Sequence, residues 1–357
     1  MNKSCLIGFL MCSAFSLVVQ AATDGAHITK TISQIERKKG IKRTIQYRPD
    51  GNDFVCVNGK NRYTRALYGG ITDFRIETSD RPVFATYKPK DSKHICFRLQ
   101  CGNQSIALDS LKFCEARYRA GRRTYRLTDP LLGKGELNIS VLAFPDAEGG
   151  IWRFTMKDMP EGALLHCYIS EIRAKNLSRN GDMGADRADS FDAPQLPKEQ
   201  KHYKLSLDGT TAYIVVEDQE LRLPALVEGT SLYDKSEKWR SEIESSLQIS
   251  TPDPYFNPLG GALAAAADGI WDGKIWLHGA IGWRSQLNGW RAAYIGDFIG
   301  WHDRARTHFD SYAASQVTDV PATIPHPTQD TALHLARSVK KWGTPHYSNG
   351  YICRTPY

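Results

Sequence analysis

The chain has 357 residues, a formal net charge of +7, 41% hydrophobic and 24% charged residues. That is ordinary globular composition at a length suited to about two domains, which excludes a disordered or low-complexity chain. The basic excess is mild and scattered, with Arg37-Lys38-Lys39 and Lys42-Arg43 as its densest cluster, and no nucleic-acid-binding motif accompanies it.

Residues 1–21 read as a signal peptide. Lys3 opens a short positive start, Cys5 to Val19 is apolar, and Val19-Gln20-Ala21 supplies a cleavage site before Ala22. The run is short for a membrane span. The expectation is export to a periplasmic or extracellular location, with no membrane span after cleavage. Six cysteines remain: Cys56, Cys96, Cys101, Cys114, Cys167 and Cys353. Export permits disulfides, and Cys96 and Cys101 could close a small loop. The spacings form no dense framework, however, and buried free thiols are the larger expectation.

Residues 22–230 read as a β-sandwich domain, because short strands alternate with turn signals. Phe54 to Val57 runs into Asn58-Gly59, Ala120-Gly121 separates two strands, and Asp208-Gly209 separates Tyr203–Leu207 from Ala212–Val216. The first two read as hairpins, and the third completes the series of strands. A long polar loop interrupts the series at 175–201. It carries Asn180, Asp182, Asp186 and Asp189, but their spacing fits no calcium loop, and neither a metal nor a cofactor is expected.

The period then changes. Trp239, Ile243 and Leu247 recur at i, i+4, i+8, which predicts a helix over 231–247. Thr251-Pro252-Asp253-Pro254 and Asn257-Pro258 follow, so 231–258 is a linker helix with a proline-rich linker. Residues 259–270 are alanine-rich and helical, 291–316 form a longer helical stretch, and 330–342 a third.

Chemistry concentrates between Ile270 and Phe309, where five of eight tryptophans fall, at 271, 276, 283, 290 and 301. On a helical wheel through 291–316, Ile295, Phe298, Ile299, His302 and Phe309 share one side. Tyr294, Asp297, Trp301, Arg304, His308 and Tyr312 share the other. Aromatics alternating with Asp, Arg and His suit sugar recognition, since rings cover pyranose C–H faces while charged planar groups bind hydroxyls. A buried helix with aromatic core contacts and an Asp–Arg ion pair accounts for the same pattern equally well. No nucleophile elbow, phosphate loop, Cys–His nucleophile or i, i+4 zinc pair is present. Carboxylate chemistry remains, with Asp272, Asp297 and Asp303 as candidates.

Leu263 to Asp272, Trp276-Leu277-His278-Gly279-Ala280, Gly289-Trp290-Arg291 and Gly300-Trp301-His302-Asp303-Arg304 together resemble the opening of six-hairpin glycosidases. With Asn58 to Gly69 and Arg179 to Asp186, they more narrowly resemble a secreted family of unknown function from polysaccharide-degrading bacteria. The resemblance implies an N-terminal β-sandwich followed by an (α/α)6 toroid. Twelve helices need roughly 200 residues, and about 100 follow the linker, so 259–357 is expected to be the start of a truncated toroid.

The implied activity is glycoside hydrolysis of a polysaccharide or oligosaccharide by two carboxylates. Asp297 and Asp303 are its catalytic candidates here, with the main carboxylates expected beyond residue 357 and the fragment itself expected to be inactive. Substrate-binding candidates are Trp271, Asp272, His278, Trp283, Arg284, Trp290, Arg291, Trp301, His302 and Arg304. The expected partner is carbohydrate, an acidic glycan included, and not nucleic acid. A polysaccharide lyase and a non-catalytic carbohydrate-binding protein are the alternatives.

Overall fold

A computed structural model describes residues 46–60, 63–88, 91–171, 202–277, 289–313, 346–348 and 351–353. The expected signal peptide, the loop at 175–201 and the helix at 330–342 lie outside the described residues.

Two antiparallel sheets dominate. The first runs β1 (Arg48–Asp50), β2 (Asp53–Val57), β8 (Phe113–Arg119), β9 (Arg122–Thr128), β10 (Glu136–Ala143), β11 (Gly149–Lys157), β14 (Thr211–Glu217), β15 (Glu220–Arg222). The second runs β13 (His202–Ser206), β12 (Leu164–Glu171), β6 (Asp91–Cys101), β5 (Phe84–Lys88), β4 (Arg75–Ser79), β3 (Tyr63–Tyr68), with β7 (Gln104–Ala107) also paired to β6. Period-2 burial explains why they face each other. Cys114, Ala116 and Tyr118 on β8, Leu137, Ile139 and Val141 on β10, and Trp152, Phe154 and Met156 on β11 point into one core with Phe84, Ile95, Phe97 and Leu99 of the second sheet. Phe84 stands edge-on to Tyr125 and to Trp152, both at 5.6 Å between centroids, so ring contacts of about 1 kcal/mol each join the sheets.

The three turn dipeptides do different things. Ala120 (φ 36°) and Gly121 (φ 90°) close a two-residue hairpin between β8 and β9, as their composition predicts. Asn58-Gly59 does not close a hairpin. β2 pairs with β8, Asn58 is fixed by donating to the Cys114 carbonyl and accepting from the Cys114 N–H, and the chain crosses to β3 in the other sheet. Asp208-Gly209 likewise separates β13, paired with β12, from β14, paired with β11. Strand partnership is decided by long-range packing, which turn composition does not encode.

Cys96 and Cys101 lie on the single strand β6, about 17 Å apart at strand rise, too far for a disulfide. They and Cys56, Cys114 and Cys167 are free thiols. Cys96 Sγ is 4.0 Å from His94 Nδ1. Burial pushes that thiol up to about 12 and the imidazole down to about 4, so both groups are held neutral, the reverse of a nucleophilic thiolate–imidazolium pair.

His94 is 2% exposed, and its folded pKa lies below the ordinary 6.5. The unfolded chain therefore binds the extra proton as pH falls through 6.5. The contribution of His94 is complete above 6.5 and is lost on acidification toward about 4. Denaturant titrations should show a loss of about 2 kcal/mol between pH 7 and pH 5, at ~1.4 kcal/mol per pH unit over that window. His94→Gln should flatten that slope. An unchanged slope would place the acid sensitivity elsewhere.

Helix α1 (Leu226–Ser245) starts earlier than its periodicity suggests, directly after Pro224 and an extended Ala225 cap. It lies across β10, β11 and β14. Gly229 meets the Tyr213 ring, and the Tyr233 and Ser140 hydroxyls are 2.6 Å apart. The most buried line is Gly229, Tyr233, Ser236 and Arg240, while Trp239, Ile243 and Leu247 sit beside it, half-buried. Helix α2 (Leu259–Asp268) follows the proline linker, then α3 (Gly289–Phe298) and α4 (His302–Ala313). A short pair, β16 (His346–Ser348) and β17 (Tyr351–Cys353), completes the described elements.

Candidate functional site

The stretch read as one helix over 291–316 is two helices with a break at Gly300. The Trp301 N–H donates to the Gly296 carbonyl at 2.7 Å and the Gly300 N–H to the Asp297 carbonyl at 3.2 Å, with Gly300 at φ 81°. This is a Schellman stop, and glycine is what permits the left-handed residue it requires. The break reorients the wheel. Ile295, Phe298 and Phe309, from the apolar side of that wheel, are exposed, Phe298 at 87%. His308, Ala305 and part of Arg304 turn inward instead.

They turn toward Trp276, which is fully buried. Its indole Nε1 donates to the Ala267 carbonyl at 3.1 Å, and its backbone N–H donates to His308 Nδ1 at 3.1 Å. Accepting at Nδ1 places the proton of a neutral His308 ring on Nε2. A Cβ on Gly296 would strike the Trp276 ring, so α3 approaches only because that position is glycine. Trp271 forms a bridge with Trp276, ring centroids 4.6 Å apart. Between them Asp272 Oδ1 accepts from the Lys274 and Ile275 N–H groups at 2.9 and 2.7 Å. Asp272 thus acts as a turn-former here through Oδ1.

The polar centre is Asp268 with Arg304. Arg304 Nη1 donates to Asp268 Oδ1 at 2.7 Å, and the guanidinium lies 4.3 Å from the Trp301 ring centroid and 5.7 Å from that of Trp271. The Asp268 side chain is 6% exposed and that of Arg304 is 28% exposed. Burial raises the Asp268 pKa and the Arg304 charge works against that rise. Both rings are half-buried. The result is an aromatic surface around a guanidinium that is fixed on one side and open to solvent on the other.

Asp297 and Asp303 do not join this centre. Asp297 Oδ1 is 2.8 Å from His302 Nδ1 across the helix break, and both side chains are mostly in solvent. Asp303 is fully exposed at the first turn of α4, where a carboxylate favours the helix dipole. Neither is enclosed as an acid or base at a reaction centre would be. His278, Trp283 and Arg284 lie outside the described residues, as do the side chains of Trp290 and Arg291. Asp268 was absent from the sequence candidates. One signal pointed to it: an acidic residue ending an alanine-rich helix, where the dipole disfavours negative charge, needs a cationic partner.

The helical part is tied to the sheets. Thr72 Oγ1 donates to the Gly269 carbonyl at 2.8 Å, and a Cβ on Gly269 would meet the Tyr68 ring. A cleft of about 690 Å³ lies between the β8–β9 hairpin and the end of α1, where Arg119 bonds Glu244 at 2.7 Å. Its charged groups are paired with each other, which marks a joint between layers. The Trp–Arg–Asp cluster remains the better candidate site.

A family described as a domain of unknown function, DUF4450, matches residues 89–216, the stretch from β6 to β14. No curated protein matches the chain. Among solved structures it is similar to a bacterial glucoamylase complexed with acarbose, at 8% identity and a TM-score of 0.41, over 74% of this chain. The chain spans about half the length of that protein (55%).

Proposed function

We propose that the Trp271–Trp301–Arg304 cluster binds carbohydrate and that the protein acts in carbohydrate processing as a glycoside hydrolase. The observation that carries this reading is the Arg304 guanidinium, anchored by Asp268 and stacked on Trp301 while still open to solvent. An aromatic face beside fixed N–H donors matches a sugar ring with its equatorial hydroxyls. Export through residues 1–21 and a division into a sandwich, a linker helix and a helical part belong to the same proposal.

Binding is the first test. Titrating malto-oligosaccharides and other neutral oligosaccharides while following tryptophan fluorescence should give saturable binding. Trp301→Ala should weaken it by about tenfold, in line with a loss of ~1.5 kcal/mol for one stacking face, while the variant stays folded at the assay temperature despite losing its half-buried packing on Trp276. Unchanged affinity with a lowered melting temperature would make Trp301 a packing residue. Release of reducing sugar tests hydrolysis separately. The exposed positions of Asp297 and Asp303 favour carbohydrate binding without turnover as the second reading, in which Asp297→Asn and Asp303→Asn leave binding unchanged.

A further inference from the structure

The outer face of the first sheet is covered by α1 over only part of its width. Two cross-strand rows run along this face, one reaching under the helix at Tyr233 and the other beside it. Arg117, Thr124, Ser140 and Arg153 are register partners in one, and Glu115, Arg126, Asn138 and Thr155 in the other. Period-2 geometry turns these side chains away from the core that Tyr125, Ile139 and Phe154 fill, and they line a cleft of about 350 Å³. The cleft is rich in arginine, and most of these arginines are spoken for. Arg117 bonds Glu115 and Asp50, both at 2.8 Å, Arg122 bonds Glu237 of α1 at 2.8 Å, and Arg126 faces Glu115 and Glu136 at 3.4 and 3.5 Å.

Arg153 differs. Its guanidinium lies 3.9 Å from the Tyr233 ring centroid, held by the aromatic face, and Tyr233 is itself fixed by Ser140. Its buried Nε makes no hydrogen bond, and it has no carboxylate partner among the described residues. The enclosed Nε cannot meet a ligand, but the terminal Nη groups make no hydrogen bond among the described residues, and with the guanidinium pinned by the ring they are prepared for an incoming oxyanion, because the conformational cost is met before binding. The surrounding Thr124, Asn138 and Thr155 offer hydroxyl and amide groups, which suit a polyhydroxylated ligand rather than a bare ion.

We propose that this cleft is a second binding site, which takes the carboxylate of an acidic sugar unit on Arg153 and its hydroxyls on the neighbouring threonine and asparagine side chains. It shares no residue with the Trp271–Trp301–Arg304 cluster and does not depend on that site.

The test is calorimetric titration of the full chain with a galacturonic-acid trimer, its methyl ester, and sodium sulfate alone. The trimer should bind saturably, the methyl ester at least about tenfold more weakly, and affinity should fall as sodium chloride rises. Arg153→Gln should reduce trimer affinity by about tenfold or more, while Trp301→Ala leaves it unchanged, which separates this site from the first. If Arg153→Gln does not fold, Arg153→Lys keeps the charge but loses the planar two-pronged donor, and the same reduction is expected. Equal affinity for the ester, equal affinity in the folded Arg153 variants, or displacement of the trimer by sulfate at matching concentration would each overturn the proposal. The last would leave a simple anion site.

Discussion

Replacing Trp276 with alanine is expected to destabilise the helical part by about 3–5 kcal/mol, the range for truncating a fully buried tryptophan. The magnitude follows from what surrounds the ring. Ala305, Ile270, Trp271 and Trp301 pack on it, Gly296 approaches it edge-on, and its Nε1 satisfies the Ala267 carbonyl. Removing the indole leaves a cavity between α2, α3 and α4 and an unmatched acceptor at the end of α2. Denaturant melts followed by far-ultraviolet circular dichroism measure the loss, and Trp276→Phe should recover part of it. Carbohydrate binding should weaken together with stability, because Trp271 is positioned by Trp276. A loss below about 1 kcal/mol would show that the helices are held by other contacts.

Replacing Gly69 with alanine should cost about 3 kcal/mol or more. Gly69 and Gly70 follow β3 directly and run against the turn between β10 and β11, where the Gly70 N–H donates to the Phe144 carbonyl at 3.2 Å. A Cβ on Gly69 would fall on the Phe144 carbonyl oxygen, and one on Gly70 on that of Pro145. Backbone cannot rotate aside as a side chain can, so the two sheets would have to separate at this corner. Gly209→Ala is the control. Its nearest neighbour is 4.0 Å away, and its stability should stay within about 0.5 kcal/mol of the parent. Equal urea midpoints for the two variants would show that the corner yields without loss.

The two variants probe different kinds of information in the chain. Gly69 stood in a segment singled out only for its resemblance to a family, yet its role is steric and belongs to the sandwich corner. Trp276 stood in the tryptophan-rich segment but outside its substrate-binding candidates, and it is the core on which Trp271 and Trp301 rest. Among the described residues, the proposed binding set is Trp271, Trp301 and Arg304, with Asp268 as the anchor that periodicity did not suggest.

Local patterns carried the elements themselves. Alternating apolar residues identified the strand-rich half, Ala120-Gly121 its β8–β9 hairpin, and the alanine-rich run its helix after the prolines, because propensity and periodicity act over a few residues. Gly300 also held a legible stop signal for the helix around Trp301. Which sheet receives the strand after Asn58-Gly59 or Asp208-Gly209, which side of α4 turns inward, and which carboxylate meets Arg304 were decided only by tertiary packing. These choices depend on side chains distant along the chain, such as Cys114 for Asn58, His308 for Trp276 and Asp268 for Arg304, whose proximity exists only once both sheets and helices have assembled.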